Sequence, residues 1–308
     1  MRIAFAGTPA VAIPTLKALM ESEHELALVI TQPPAARGRS KQPQPSEVAS
    51  FAKENQLTLF EPDSINDETA IAFLKSLNVE LIVVVAYGQL LKAETLNCIP
   101  KGWINAHFSL LPAWRGAAPV QAAIIHGDEI SGVTTFQLEV GMDCGPIYGQ
   151  VVTDVKTDES AGQLLERLSI IGADLVIQTL ATIESGEAKP QMQIETLATY
   201  APKLLPADGQ IKWHHPALAI SRHIRGFTPN PGAWTTLDGM RIEIGCAQIQ
   251  IESDLEPGQL RIEKNSVLVG TGSSALKIID VKPAGKAWME AAAWGRGLRD
   301  HSGAFSNE

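Results

Sequence analysis

Short apolar runs alternate with helix-like segments through the first half of this chain. The run at residues 81–86 is apolar throughout, which is typical of a central parallel strand that is covered on both faces. Strands that alternate with helices predict an α/β fold, in which a mostly parallel sheet carries helices on both faces. The predicted strands are residues 2–6, 26–31, 81–86, 103–107 and 133–138, and the predicted helices are residues 11–20, 46–55, 67–77, 120–126 and 160–185.

The pattern changes near residues 200–209, where Pro202, Pro206 and Gly209 cluster. Proline and glycine interrupt regular elements, so we place a domain boundary there and expect domains at residues 1–203 and 204–308. The second domain contains short β-rich runs, whose spacing predicts a small barrel or sandwich. These runs are residues 241–244, 247–251, 258–262, 266–270 and 276–281.

The composition is that of an ordinary globular protein, with 45% hydrophobic and 19% charged residues. A net charge of −9 argues against a non-specific nucleic-acid binder, although residues 206–308 carry equal numbers of acidic and basic residues. Cys98, Cys144 and Cys246 are scattered, which favours a reducing compartment over a disulfide framework. The first residues predict a strand rather than a secretory signal, and no apolar run is long enough for a bilayer. We therefore expect a cytoplasmic protein.

The first predicted strand–helix turn does not have the pattern of a dinucleotide site. Gly7 is its only glycine, and the second strand ends in Thr31-Gln32 with no acidic residue for a ribose. We therefore expect no NAD. The histidines show no metal-ligand spacing, so we also expect no metal.

Asn105 and His107 lie near the carboxyl end of the predicted strand at residues 103–107. Ligands bind at that edge of an open α/β sheet, and side chains two residues apart point to the same face. An Asn amide can donate to a carbonyl oxygen that becomes negative, and a His can donate to it or move protons near neutral pH. A capping Asn and a buried structural His remain the ordinary alternative.

Asp143 lies in the glycine-rich segment 141–145, after the strand at residues 133–138. An Asp in this place could orient His107 and stabilise its charged form, as an acid does in a hydrolase triad. A polar turn residue is the alternative. No Ser or Cys has the local signature of a nucleophile, and we interpret Cys144 as a packing residue. The three residues Asn105, His107 and Asp143 are therefore the candidates for catalysis.

Residues 32–46 form a long, basic, proline-rich stretch that contains Arg37, Arg39 and Lys41. Loops of this length are uncommon in compact domains and are usually functional or disordered. A solvated basic loop is one interpretation, and a loop that contacts phosphates is the other.

Taken together, these motifs resemble those of the methionyl-tRNA formyltransferases, one of the folate-dependent formyltransferase families. The resemblance covers almost the whole chain, and the order of Asn105, His107, Ser-Leu-Leu-Pro and Asp143 is its most specific part. The stretch that follows Ser-Leu-Leu-Pro, together with the basic loop, distinguishes this family from its sister families. The matching segments are FAGTP (5–9), VVVAYG (83–88), INAHFSLLPAWRGAAPVQ (104–121), GMDCG (141–145), YAPKL (200–204), IRGFTP (224–229) and PAGK (283–286).

The resemblance implies a Rossmann-like catalytic domain at residues 1–203 and an OB-like, tRNA-binding domain at residues 204–308. It implies that 10-formyltetrahydrofolate is the formyl donor and that methionine on initiator tRNA is the acceptor, with direct attack by the amine. Asn105, His107 and Asp143 would be catalytic. The implied folate-binding residues are Ala86, Tyr87, Gly88, Ser109, Leu110, Leu111, Pro112 and Gly141, and the implied tRNA-binding residues are Arg37, Arg39, Lys41, Lys203 and Arg225.

Two other functions stay open at this point. One is a related formyltransferase or formyl hydrolase with a small-molecule acceptor, and the other is a non-catalytic α/β module that binds folate or RNA. Turnover with the folate donor and charged initiator tRNA separates all three. We expect a monomer.

Overall fold

The structure is a computed structural model that describes residues 1–36, 42–250, 254–298 and 303–306. The chain divides into two compact units. The first unit comprises Met1–Pro119, Ile130–Thr153 and Leu165–Ala201, and the second comprises Val120–Glu129, Asp154–Leu164 and Pro202–Glu308. The domain bounds 1–203 and 204–308 stay a prediction.

Strands and helices alternate through most of the chain up to residue 201, as the sequence predicts, although β3 and β4, β8, and β10 each follow another strand directly. The strands are β1 (Arg2–Gly7), β2 (Glu25–Ile30), β3 (Ala35–Ala36), β4 (Pro43–Gln44), β5 (Leu59–Phe60), β6 (Leu81–Val85), β7 (Trp103–His107), β8 (Arg115–Gly116), β9 (Ile130–Gln137), β10 (Ile147–Asp154) and β11 (Tyr200–Ala201). The helices are α1 (Ile13–Glu21), α2 (Glu47–Glu54), α3 (Glu68–Ser76), α4 (Ala93–Leu96), α5 (Pro119–His126) and α6 (Ala161–Ser185).

Seven strands form one sheet in the order β10-β9-β7-β6-β1-β2-β5. The pairs β1–β2, β1–β6, β2–β5 and β6–β7 are parallel, and β7–β9 is antiparallel. The predicted mostly parallel α/β fold is therefore confirmed. All five residues of β6 are buried, as its continuous apolar sequence predicts for a central strand.

The strand order reverses between β1 and β6, because the chain continues to β2 on one side and from β6 to β7 on the other. Open α/β sheets bind ligands in the crevice at such a switch point, beyond the carboxyl ends of the strands. The turns after β1 and β6 are joined there by a hydrogen bond of 2.7 Å from Thr8 Oγ1 to the carbonyl of Tyr87. The fold thus predicts a ligand site formed by the segments that follow β1, β6 and β7.

The elements after residue 201 are α7 (Ala217–Phe227), β12 (Ala233–Leu237), β13 (Met240–Ile249), β14 (Leu260–Ile262), β15 (Val267–Gly270), β16 (Ala275–Pro283), β17 (Met289–Glu290) and α8 (Ala291–Arg296). Five of the strands make an antiparallel sheet in the order β12-β13-β16-β15-β14, and β17 pairs with β16. The two predicted strands at residues 241–244 and 247–251 are wrong as separate elements, because β13 is continuous from Met240 to Ile249, with an irregular register at Cys246. The fully buried Trp213 stacks on Phe305 in the core.

Among the described residues, no helix is both long and apolar enough to span a membrane.

Ser46 ends the long basic stretch and caps α2. Its buried hydroxyl accepts a hydrogen bond of 2.8 Å from the backbone N–H of Ala49 and lies 2.8 Å from Thr31 Oγ1. We expect Ser46→Ala to lower the free energy of unfolding by about 1 kcal/mol, because the substitution removes an N-cap. Urea denaturation would measure it, with Ser50→Ala in the same helix as the control. Equal midpoints for the two variants would contradict the capping role.

Candidate active site

Asn105 and His107 are the third and fifth residues of β7, so their side chains lie on the same side of the strand near its carboxyl end. The Asn105 side chain is half-buried and makes no hydrogen bond with any residue that the structure describes. His107 is buried, with 6% of its surface exposed. At the edge of the sheet where a ligand is expected, β7 thus carries the imidazole of His107 and an Asn105 amide that makes no hydrogen bond with the described residues.

The two ring nitrogens of His107 have different neighbours. Nε2 is 2.9 Å from the carbonyl oxygen of Trp114, and Nδ1 is 3.7 Å from Oδ2 of Asp143. A carbonyl oxygen can only accept, so Nε2 carries a proton and donates it. The 3.7 Å between Nδ1 and the Asp143 carboxylate is longer than a hydrogen bond. Nε2 is therefore bonded to Trp114, and Nδ1 is the ring nitrogen that faces Asp143.

Asp143 is positioned by the chain on both sides of it. Its backbone has φ +50° and Gly141 has φ +131°, values in the left-handed region that tighten the turn after β9. Its Oδ2 accepts a hydrogen bond of 2.8 Å from the backbone N–H of Gly116. At Gly145 a Cβ would lie 1.9 Å from the carbonyl oxygen of Gln137, so only glycine fits. The structure thus brings Asp143 to the end of β7, as the sequence predicts.

The Ser-Leu-Leu-Pro segment continues directly from β7. The hydroxyl of Ser109 donates to the carbonyl of Ala113 at 2.6 Å, and the N–H of Leu111 donates to Thr134 Oγ1 at 3.0 Å. Ser109 and Leu111 are buried, whereas Leu110 and Pro112 are half-buried. The segment is therefore fixed by its own hydrogen bonds before any ligand arrives.

The other predicted folate residues lie on two exposed turns. Ala86 and Gly88 are exposed and adopt positive φ values of +48° and +90° after β6, and Gly141 is exposed after β9. Tyr87 differs, because its side chain is 2% exposed in the core and only its backbone carbonyl faces Thr8 and Gln32. Burial raises the pKa of the Tyr87 phenol.

The predicted tRNA residues are dispersed. Arg37, Arg39 and Lys41 lie outside the described residues, and Lys203 is exposed at the start of the last segment of the second unit. Arg225 lines a cleft of about 600 Å³ in the second unit. Its Nη1 donates to the carbonyl of Glu159 at 3.0 Å, and burial together with Arg222 lowers its pKa. The cleft also contains the charged side chains of Lys156, Arg222, Asp128, Glu129 and Asp158.

In the described part of the chain, no group of three or more His, Cys, Asp and Glu residues is arranged to hold a metal ion.

The sequence motifs identified only the end, Tyr200–Ala201, of a segment that adjoins the site. Residues 191–201, here called the return segment, follow α6 and hydrogen-bond to the loops that contain Asp143 and Arg115. The signal is weak in the sequence, because Gln193 is one polar residue in a polar stretch.

Comparisons with known proteins agree over both parts of the chain. The family model "Formyl transferase" matches residues 1–180, and "Formyl transferase, C-terminal domain" matches residues 203–299. A methionyl-tRNA formyltransferase of Acidothermus cellulolyticus is 45% identical over 99% of this chain and 99% of its own, and one of Corynebacterium diphtheriae is 46% identical over 98% and 99%. The solved structure of a methionyl-tRNA formyltransferase from Clostridium thermocellum shares the fold, with a TM-score of 0.55 at 17% identity over 81% of this chain and 94% of that one.

Proposed function

The chain belongs to the formyl transferase family, and on that premise we propose that it transfers a formyl group from 10-formyltetrahydrofolate to the amino group of methionine on initiator methionyl-tRNA. Relatives that match nearly full length carry the name of this reaction. The observation that best supports this reaction is the 3.7 Å distance between His107 Nδ1 and Asp143 Oδ2, near an Asn105 amide that makes no hydrogen bond with the described residues. The enzyme is a one-carbon group transferase with a folate donor.

In the proposed reaction, the neutral methionine amine attacks the formyl carbon directly. The new C–N bond forms while the formyl oxygen becomes negative, and the bond to N10 of the folate then breaks. The amine nitrogen loses one proton and N10 gains one, so the charges balance. No covalent bond to the protein is required.

Asn105 and His107 donate hydrogen bonds to the developing oxyanion in this scheme. Fixed donors in a site with little water stabilise such charge more than water does, and one donor is typically worth about 3–4 kcal/mol. The Asn105 amide is supported in this role because no described residue competes for it. On His107, Nδ1 is the better-supported donor, since Nε2 already bonds to Trp114.

Asp143 places its negative charge beside Nδ1 of His107 and helps to relay the proton that the amine loses. Its Oδ2 is engaged by the Gly116 N–H at 2.8 Å, so the carboxylate cannot rotate freely. This fixed position supports an electrostatic role for Asp143 rather than a nucleophilic one.

We place the folate pterin against the residues that follow β6, β7 and β9, namely Ala86, Tyr87, Gly88, Ser109, Leu110, Leu111, Pro112 and Gly141. Val140 and Met142 support this placement, because they are exposed by 71% and 56% beside Asp143. Apolar side chains exposed next to polar groups are typical of ligand grooves. Tyr87 would contribute through its backbone.

For tRNA we propose Arg37, Arg39 and Lys41 in the basic loop, with Lys203 and Arg225 in the second unit. The charges suit phosphate contacts, which position an RNA without reading its sequence. We further propose a monomer, since the three catalytic candidates come from one unit, and the cytoplasm, where charged initiator tRNA is present.

The acceptor is tested by comparing substrates at a fixed concentration of 10-formyltetrahydrofolate. We expect turnover with charged initiator methionyl-tRNA and no measurable turnover with free methionine or an amino sugar nucleotide. Preference for a small amine would assign a different acceptor, and release of formate without an acceptor would assign a hydrolase.

Arg39→Ala should lower kcat/KM for methionyl-tRNA by roughly 10- to 100-fold, because one phosphate or base contact is worth about 1–3 kcal/mol. The Kd of tetrahydrofolate should stay unchanged. Fluorescence titration would measure the Kd, and initial rates at several salt concentrations would measure kcat/KM. Lys189→Ala, which removes one exposed positive charge elsewhere, is the control. Equal losses in folate binding and tRNA use would argue against the role of Arg39.

A further inference from the structure

The return segment bridges two loops of the first unit that carry neighbours of His107. On one side, the backbones of Gln191 and Ile147 exchange two hydrogen bonds of 2.8 Å. On the other side, the N–H of Arg115 donates to the carbonyl of Thr199 at 2.8 Å, and Tyr200–Ala201 pairs with Arg115–Gly116. One continuous stretch therefore ties the Asp143 loop to the Trp114–Gly116 loop.

Gln193 is the side chain at the centre of this bridge. Its amide nitrogen donates to the carbonyl oxygens of Asp143 at 2.7 Å and Gly145 at 2.8 Å. Its amide oxygen accepts from Nε and Nη2 of Arg115 at 3.1 and 2.9 Å. The half-buried side chain thus uses both amide protons and both lone pairs, which leaves it a single orientation.

Arg115 holds the other half of the same network. Its side chain is 2% exposed, and its Nη1 donates to both carboxylate oxygens of Glu195 at 3.0 and 2.9 Å. Burial opposes the charge of the guanidinium, but hydrogen bonds and charge from Glu195 and then Tyr200 raise the pKa of Arg115 above its ordinary value. Arg115 is therefore a fixed cation, and such a buried charge needs the partners that it has here.

The network reaches Asp143 at its backbone and at its side chain. Gln193 binds the Asp143 carbonyl, and Gly116, the residue after Arg115, donates to Asp143 Oδ2. Asp143 also adopts φ +50°, a conformation that is costly for a non-glycine residue and persists where surrounding contacts hold it. Both contacts act on the residue whose Oδ2 lies 3.7 Å from His107 Nδ1.

We propose that Gln193 and Arg115 are positioning residues that set the distance and orientation of the Asp143 carboxylate relative to His107. This inference rests on the proposed role of Asp143 in formyl transfer. Catalytic groups must be held within about 0.5 Å of their productive geometry. A misplacement of about 1 Å can cost on the order of 100-fold in rate. We therefore expect the network to act mainly on the chemical step.

The test is Gln193→Ala, with Gln191→Ala as the matched control. Gln191 is exposed in the same segment, and its side chain makes no hydrogen bond with the described residues. We expect Gln193→Ala to lower kcat by roughly 10- to 100-fold. The KM for 10-formyltetrahydrofolate and the Kd of tetrahydrofolate should change less than about twofold. Gln191→Ala should behave as wild type.

A double-mutant cycle with Asp143→Asn separates positioning from general loosening of the fold. If Gln193 acts through Asp143, Gln193→Ala in the Asp143→Asn background lowers kcat by less than about twofold further. Fully additive losses would overturn the proposal.

Gln193→Glu keeps an acceptor for Arg115 but removes both donors to the carbonyls, so it should lose as much kcat as Gln193→Ala. A Gln193→Glu enzyme with wild-type kcat would also overturn it.

Failure of this inference is distinguishable from failure of the proposed function. If the proposed function is wrong, the wild-type protein does not formylate methionyl-tRNA. If only the inference is wrong, the wild type turns over normally and Gln193→Ala matches Gln191→Ala.

Discussion

Replacing Asn105 by alanine is expected to lower the rate of formyl transfer by roughly 100- to 1,000-fold, the usual effect of removing one oxyanion donor. The reason is local. The Asn105 amide lies at the end of β7, and no described residue accepts a hydrogen bond from it, so its interaction energy is available to the transition state. Because the oxygen is only weakly negative in the donor itself, the loss should fall on kcat, and the Kd of tetrahydrofolate should stay near the wild-type value.

Single-turnover rates with charged initiator tRNA would measure this effect. Asn97→Ala, at an exposed asparagine of the same unit, is the control for a lost amide. Thermal unfolding of both variants should match the wild type, since Asn105 has no structural hydrogen bond with the described residues. An Asn105→Ala protein that retains half or more of the wild-type rate would exclude this residue as an oxyanion donor.

Asp143→Asn is the second change with a large expected effect. The neutral amide removes the charge next to His107 Nδ1, while its oxygen can still accept from the Gly116 N–H that now binds Oδ2 at 2.8 Å. The geometry is thus retained and the electrostatic support is lost. We expect kcat to fall on the order of 100-fold, within the usual range for proton-transfer groups.

Glu139→Gln is the matched control for Asp143→Asn, because it neutralises an exposed acid in the same loop. Stopped-flow single turnovers at several pH values would compare the two. The Asp143→Asn enzyme should be slower than the Glu139→Gln enzyme at every pH, since only Asp143 lies beside His107. Equal rates for the two variants across the pH range would contradict the electrostatic role.

Much of this fold follows from local sequence. The strand at Trp103–His107 has the predicted bounds, and Leu81–Val85 is buried as its apolar sequence requires. Strand β10 was not among the predicted strands. It lies at the sheet edge, and its residues, which include Gly149 and are half-buried or exposed, form no continuous apolar run. Helix α7 was also not among the predicted elements, although its apolar residues have helical spacing. Its buried face contains Ala217, Ile220, Ile224 and Phe227.

The candidate site also contains residues that local sequence predicts and residues that it does not. Asn105 and His107 could be paired from strand alternation alone, because two residues of one strand share a face. Asp143 required the glycines around it. The contacts of Gln193 with Asp143 and with Arg115 span 50 and 78 residues, and no local pattern predicts such pairs. The direction of the Tyr87 side chain could not be predicted from its sequence position either, because its ring lies in the core although Ala86 and Gly88 on either side are exposed.

The most direct measurement follows the formyl carbon itself. The purified protein would be mixed with 10-formyltetrahydrofolate labelled at the formyl carbon and with charged initiator methionyl-tRNA, and the label traced by mass in a single turnover. We expect the label on the methionine amino group, one tetrahydrofolate per formyl transferred, and no labelled protein intermediate. Label recovered as formate, on a small amine only, or bound to the protein would contradict the account.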